Sequence, residues 1–339
     1  MHPLSLRGGN ATKVVKRLLV DLNLGFLHTM RAARVHKPGP PDVIVIEDID
    51  LPEPGEREVL VRVSAAGVGP WDALVRTGNS DLPQTYPLTL GSEISGVVEK
   101  LGPNTEGFAV GAEVFGATNP LFINGYAEYA IAAARMIARR PASLSHLEAA
   151  ALPVVGVTAW QMLFDHAQAR EGQTVVVHGS AGNVGSYAVQ LARSRKLRVI
   201  GTVFGGEPDY VRRLGADRVI DTKSQNLAEF GIVADIVIDT VGGKNQDQLF
   251  ALLKPGGIIV SSVIRPNVQL AKQHGVQSDY LIVDVNTDQL TQLAQLHERR
   301  ELIIPVGSIV LLADAIAAHE MLAGTRPHKR GKIVIELNP

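Results

Sequence analysis

Two hydrophobic rhythms divide the chain. From residue 174 onward, short β-branched and aliphatic runs recur, each followed by a stretch with apolar positions at three- and four-residue spacing. The clearest run, Thr174-Val175-Val176-Val177-His178, has the length and composition of a strand buried on both faces of a parallel sheet. Further strands are predicted over 198–203, 235–240, 257–263 and 280–285, with helices over 208–214 and 246–253 between them. Such alternation specifies an α/β unit with a doubly wound parallel sheet.

Between residues 31 and 152 the rhythm shortens. Runs at 43–47, 59–64, 96–101, 114–116 and 126–131 are separated by turn pairs such as Pro38-Gly39, Pro54-Gly55 and Gly102-Pro103, a pattern that predicts a partly open β-barrel. The boundary between the two units falls near 150–157, where an alanine-rich helix meets Pro153. After 285 come a helix over 288–299, an apolar run at 302–305, a helix over 313–322 and a strand over 332–337. So remote a strand most simply returns to the first unit. The expected division is therefore an extension over 1–29, a first domain over 30–152 and 285–339, and a second domain over 153–284. In the extension, Arg7, Lys13, Lys16 and Arg17 oppose a single acid, Asp21, and Val14, Val15, Leu18, Leu19 and Leu22 recur at roughly helical spacing. It is expected to be accessory to the chemistry.

The turn after the clearest strand carries that chemistry. It reads Gly179-Ser180-Ala181-Gly182-Asn183-Val184-Gly185 and leads into a helix marked by Val184, Ala188, Leu191 and Ala192. Glycines at this spacing permit a tight turn, close approach of a pyrophosphate and close helix–strand packing, while the first-turn N–H groups of the helix are free to bind an anion. A dinucleotide site is the expectation.

Composition narrows the rest. At 339 residues and 45% hydrophobic side chains the chain can build two cores, and a formal charge of −1 argues against general affinity for nucleic acid or anionic membrane. The absence of cysteine excludes disulfides, thiolate catalysis and cysteine-ligated zinc or iron–sulfur sites, and suits a cytoplasmic setting. No apolar run reaches transmembrane length, and Asp21 and Asn23 interrupt the segment 18–27.

Several stretches carry a resemblance: Ala66-Gly67-Val68-Gly69-Pro70-Trp71-Asp72, Leu90-Gly91-Ser92-Glu93-Ile94-Ser95-Gly96, Gly125-Tyr126-Ala127-Glu128-Tyr129, Gly156-Val157-Thr158-Ala159-Trp160, Asp239-Thr240-Val241-Gly242-Gly243, Leu253-Lys254-Pro255-Gly256-Gly257 and Gly331-Lys332-Ile333-Val334. Over about 30–337 the chain resembles the medium-chain dehydrogenase/reductase superfamily, in its zinc-free quinone oxidoreductase (zeta-crystallin-like) branch. The resemblance implies a Rossmann domain beside a GroES-like barrel, a homodimer through the sheet edge near 280–285, and hydride transfer to a small apolar quinone or carbonyl. Zinc-dependent members place ligands where this chain has Gly69 and Ser92, so no metal is expected. Zinc-free relatives often carry Asn and Tyr where this chain has Gly69 and Leu74.

Hydride delivery from a nicotinamide needs a dry apolar slot and a donor for the developing oxyanion. Trp71, Tyr86, Leu121 and Phe122 are candidates for the slot, with Asp72 and Glu93 as polar supports beneath it and Glu93 expected to fix the loop. The resemblance assigns Thr158 to the nicotinamide side, Ser180, Ala181, Gly182, Asn183, Val184 and Gly185 to the pyrophosphate, and Thr240, Val241, Gly242, Ser262, Val263 and Ile264 to the ribose and nicotinamide groove. His178 is expected to be a hydrogen-bonded structural residue, and Asp165 with His166 solvated. The position that holds an acid in NAD-selective enzymes reads Val203, which favours NADP(H). Phe204-Gly205-Gly206-Glu207 offers no adjacent cation and the adenine-side tyrosine position reads Thr222, so charge for a 2′-phosphate is expected from Arg212, Arg213, Lys223 or Lys332 at a distance. The leading expectation is an NADPH-dependent, zinc-independent reductase of quinones or α,β-unsaturated carbonyls. Alternatives are a zinc-free alcohol or enoyl-thioester reductase, and a weakly catalytic NADPH-binding structural or RNA-associated protein.

Overall fold

The structure is a computed structural model that describes residues 29–227, 231 and 234–337. The basic extension expected over 1–29 lies outside them, apart from Thr29.

The short runs of the first unit become strands because their alternate side chains are buried. β1 (Thr29–Val35) pairs antiparallel with β2 (Ile44–Asp50). β3 (Glu58–Val68) is central to a second sheet: β5 (Glu93–Leu101) and β7 (Tyr129–Ala133) both pair with it antiparallel, and β6 (Glu113–Ala117) and β8 (Ile137–Arg139) continue outward from β5. The short β4 (Leu88–Thr89) adds to β1. Pro70 opens α1 (Pro70–Thr77) directly after β3, and the Asp72 carboxylate accepts a 2.8 Å bond from the Gly69 N–H, closing the first turn.

α2 (His146–Ala150) and α3 (Pro153–Trp160) lead into the second unit. Its sheet is wholly parallel, with β9 (Thr174–His178), β10 (Arg198–Val203), β11 (Arg218–Asp221), β12 (Ala234–Asp239), β13 (Leu253–Ser261) and β14 (Gln277–Tyr280) in the order β11-β10-β9-β12-β13-β14. Val175 and Val177 enter one apolar core and Val176 the other, so β9 is buried on both faces as its uniform composition requires. Each such side chain contributes roughly 1.5–3 kcal/mol on burial. Helices α4 (Asn183–Ser194), α5 (Pro208–Arg213) and α6 (Val268–His274) complete the winding, and the order reverses between β9 and β12.

The last strand crosses back. After α7 (Thr287–Glu298), β15 (Val306–Leu311), α8 (Ala315–Leu322) and β16 (Lys332–Glu336) follow, and β16 pairs antiparallel with β3, Ile333 opposite Val68. One expected strand is corrected. The strand placed over 280–285 occupies 277–280, because the apolar residues after Tyr280 line the cleft instead of joining the ladder. The run at 302–305 buries Leu302 and Ile304 in the core shared with α4, and the strand forms after it. Residues 246–253 form a 3-10 helix, Gln246–Leu252. Among the described residues, no helix is long and apolar enough to cross a membrane.

Candidate functional site

The glycine turn is shaped by backbone, not by side chains. Gly179 adopts φ +81°, and a Cβ at Gly185 would lie 2.2 Å from the Gly179 carbonyl oxygen, so α4 can approach β9 this closely only with glycine there. Ser180 is buried with its hydroxyl donating to the Thr202 carbonyl at 2.8 Å, which ties the turn to β10. Gly182 caps α4 without a side-chain acceptor. The first-turn N–H groups of Asn183, Val184 and Gly185 are therefore available to an anion, with the positive end of the helix behind them.

This turn opens on a cleft between the two units, at the carboxyl ends of the parallel strands where the sheet order reverses. A cavity of about 270 Å³ lies in it. Thr158, Val184, Thr240, Ser262 and Val263 line one side, and Gly69, Trp71, Leu74, Ser92 and Phe122 the other. Thr158 donates to the Val154 carbonyl at 2.6 Å, and Trp71 meets Phe122 edge-on at 5.8 Å between ring centroids. The Tyr280 hydroxyl reaches the Asp81 carboxylate at 3.4 Å, joining the two units at the rim.

Beneath the cavity four polar side chains are buried together: Asp72, Glu93, Tyr126 and Lys332 are each no more than 2% exposed. Lys332 Nζ pairs with Glu93 Oε2, and the other Glu93 oxygen accepts from the Val154 N–H at 2.8 Å, at the start of α3. Asp72 Oδ2 accepts from Gly69 N–H and, at 2.9 Å, from the Tyr126 hydroxyl, whereas Oδ1 is buried without a partner. Burial pushes the Asp72 carboxyl up to about 7, against the Gly69 N–H, the Lys332 charge and the Tyr126 hydroxyl, which favour its anion; the Glu93 charge adds to the rise. Trp71 Nε1 is the other buried polar atom of the cavity-lining residues left without a partner.

Gly69 and Ser92 stand where zinc-dependent relatives carry ligands, and they do not suit a zinc ion. Gly69 offers no donor, and a Cβ there would lie 3.1 Å from the Lys332 ammonium, a cation where a metal would need an anion or a lone pair. Among the described residues no group of three or more His, Asp or Glu side chains could hold a metal.

The structure separates some of the expected site residues. Tyr86 does not line the cavity: its hydroxyl donates to the Val75 carbonyl at 2.5 Å, bracing α1. Leu121 is exposed outside it, with its carbonyl accepting from Gln84 at 3.2 Å. The Val203 side chain is buried in the core, so only its backbone faces Thr222. Val241 and Ile264 are exposed beside the cleft. Lys332 lies under the cavity and not near the bend after β10, and Arg212 pairs with Asp209 on α5. Asp165 and His166 are held, not free: they bond Gln289 and Asp279 at 2.7 Å each. His178 bonds the Thr202 hydroxyl at 2.8 Å, and burial keeps its imidazole below the ordinary value against the opposing Asp239 charge.

Asp239, quoted in a motif but given no role from sequence, is fully buried and accepts from the N–H groups of Val241 and Gly242, from Gln246 and from the Ser261 hydroxyl. It shapes the turn that flanks the cavity. The only signal for it was an acid closing an apolar strand immediately before a glycine pair.

Comparison with known proteins agrees with this architecture. A family of alcohol dehydrogenase GroES-like domains matches residues 55–142, and a zinc-binding dehydrogenase family matches 214–335. The quinone oxidoreductase of Rattus norvegicus is 30% identical over 91% of this chain and 98% of its own length. The chain belongs to the quinone oxidoreductase family of medium-chain dehydrogenases/reductases. Quinone oxidoreductase of Lama guanicoe is 33% identical over 91% of this chain and 98% of its own. The solved quinone oxidoreductase from Coxiella burnetii is 32% identical, with a TM-score of 0.85 over 91% of this chain and all of that one. The GroES-like unit and the doubly wound sheet are thus the two halves of a quinone oxidoreductase fold, and this family member is an oxidoreductase.

Proposed function

We propose that this quinone oxidoreductase is a zinc-independent, NADPH-favouring reductase that transfers hydride to quinones or α,β-unsaturated carbonyls. The observation that carries the reading is the cavity itself, apolar on the side of Trp71, Leu74 and Phe122 and bounded by the glycine-turn helix at Val184. The cofactor, when bound, supplies hydride from its nicotinamide. The pyrophosphate would rest on the N–H groups of Asn183, Val184 and Gly185, with Ser180, Ala181 and Gly182 forming the turn beneath it. The nicotinamide would lie along Thr158, Thr240, Val241, Gly242, Ser262, Val263 and Ile264.

The chain's own part is to hold the acceptor dry and to meet its developing charge. Trp71 and Phe122 cover an apolar ring and exclude water. Trp71 Nε1–H, buried without a partner, is the donor we assign to the acceptor oxygen, and Asp72 holds a proton at its carboxyl near neutral pH for the reduced product. Glu93 positions the floor through Lys332 and Val154. The proposed domains are 30–152 with 285–339, and 153–284, a division supported by the pairing of β16 with β3. A homodimer through the β14 edge is part of the same reading.

The test is NADPH and NADH oxidation by EDTA-treated protein with a panel of quinones and enones, alongside cofactor fluorescence titration. Turnover that survives EDTA is expected. Cofactor binding without turnover on any acceptor would overturn the reductase reading and leave a nucleotide-binding protein.

A further inference from the structure

Two glycines at the end of β3 make room for one lysine. A Cβ at Gly67 would lie 3.1 Å from Lys332 Cε, and a Cβ at Gly69 would lie 3.1 Å from its Nζ. The pairing of β16 with β3, Ile333 opposite Val68, carries Lys332 to this point. Although buried, Lys332 is one of the residues that line the cavity.

An ammonium carries three N–H donors, and among the described residues Glu93 Oε2 is the hydrogen-bond partner of one of them. Two donors are left. Glu93 is itself fixed, since its other oxygen accepts from the Val154 N–H at 2.8 Å, so the ammonium keeps a rigid counter-ion that offsets the cost of its burial. Asp72, the second acid of the floor, holds its proton near neutral pH and does not quench the charge. The result is a buried, pre-set cation against Gly69, the position at which zinc-dependent relatives hold a metal ligand.

We propose that Lys332 is a catalytic residue whose ammonium donates to the carbonyl oxygen of the acceptor as charge develops there, and so supplies from the chain the positive charge that a zinc ion supplies in metal-dependent relatives. This rests on the reductase reading above. When the β-carbon of an enone takes hydride with its electron pair from the bound dihydronicotinamide, which is thereby oxidised, the C=C pair shifts toward the carbonyl and the oxygen becomes negative. A quinone places the same charge on one oxygen of its hydroquinone monoanion. The anion then takes the Asp72 proton, which solvent restores, and Lys332 keeps all of its own. Trp71 Nε1–H serves the second lone pair of that oxygen as a neutral donor.

The experiment compares wild type with the double variant Lys332→Met and Glu93→Gln, which removes both charges so that no buried carboxylate is stranded, and with Glu93→Gln alone, which keeps the ammonium. In the double variant kcat for enones is expected to fall about 100–1,000-fold, and for the more electron-poor quinones about 10-fold, while the Kd for NADPH changes less than about 3-fold. A second readout is the absorbance of a nitrophenol bound together with NADP+ at about pH 6. Its phenolate fraction is expected to be about 10-fold or more higher on wild type than on the double variant, because an ammonium within hydrogen-bond reach favours the anion. Glu93→Gln alone, with the counter-ion gone, raises that fraction further, and a fall there would overturn the assignment whether or not the double variant folds; thermal melting reports the folding of each. Equal phenolate fractions in wild type and a folded double variant would also overturn it, as would enone turnover within about 3-fold of wild type. A wild-type chain that stabilises the phenolate but reduces no acceptor would keep Lys332 as the anion donor and overturn the reductase reading instead.

Discussion

The two walls of the cleft handle polar groups in opposite ways. On the nucleotide side the working groups are the backbone N–H of Asn183, Val184 and Gly185, held open by the glycine turn and left for a ligand. On the GroES-like side they are the side chains of Asp72, Glu93, Tyr126 and Lys332, drawn from α1, β5, the segment before β7 and β16, and most of their valences are spent on one another. The first arrangement tolerates most side-chain changes and fails only where a Cβ intrudes. The second fails wherever one partner is taken away, because the rest are buried.

The contrast is broken most severely at Gly185. Gly185→Val places a branched side chain against the Gly179 carbonyl, and dinucleotide affinity is expected to fall by about 100-fold or more, with a stability loss of roughly 3 kcal/mol; titration and thermal melting measure both. An intact binding curve would mean that the turn is not the anion site.

Lys332→Met tests the other wall. It leaves Glu93 buried beside an apolar chain, at a cost of about 3–5 kcal/mol in urea unfolding, and adding Glu93→Gln is expected to restore most of it. A single variant as stable as wild type would show that the floor does not depend on this pair.

Asp72 and His319 sharpen the comparison through pH. The folded Asp72 carboxyl is raised to about 7, so the native state binds more protons than the unfolded chain between pH 4 and 7, and stability from this group declines as pH rises through that window. His319 is buried, accepts from Arg76, and is lowered to about 3 by burial and then by the Arg76 charge, so its contribution is present above the unfolded value of 6.5 and is lost as pH falls through about 3. The two slopes oppose each other. Asp72→Asn removes one of them, and its stability is expected to rise more steeply with pH between 4 and 6.5 than that of wild type, by up to roughly 3 kcal/mol across the window; unfolding at a series of pH values reads it. Parallel curves would refute the raised carboxyl.

The smallest effect is expected at Thr202. Its hydroxyl bonds His178 and accepts from the Gly179 N–H at 3.2 Å, and Thr202→Val should cost about 1–2 kcal/mol with modest loss of cofactor affinity, since the turn keeps its backbone ties.

Legibility follows the same division. Gly179, Gly182 and Gly185 announce the turn because their task is local: a backbone that must bend and a helix that must come close show in spacing alone. Trp71 and Phe122 could be named as apolar candidates for the slot, yet Tyr86 and Leu121, chosen on the same grounds, lie elsewhere, because which face of a loop meets the cavity depends on what packs behind it. Leu281 and Val283 read as strand and serve as cavity lining, since apolar alternation does not distinguish a ladder from a wall.

By itself, then, the sequence determined the doubly wound parallel sheet, the anion-binding turn and the existence of a separate barrel-like unit, all of which arise from period, composition and short-range backbone geometry, while the strand at Arg218–Asp221 went unread. The tertiary structure alone decided that Lys332 neutralises Glu93 across 239 positions, that Asp72 is left with one bare oxygen beside the cavity, and that Arg330 stands over Ala181. Charge acts through space at a few ångströms, and no local pattern along a chain encodes which distant residues will come that near.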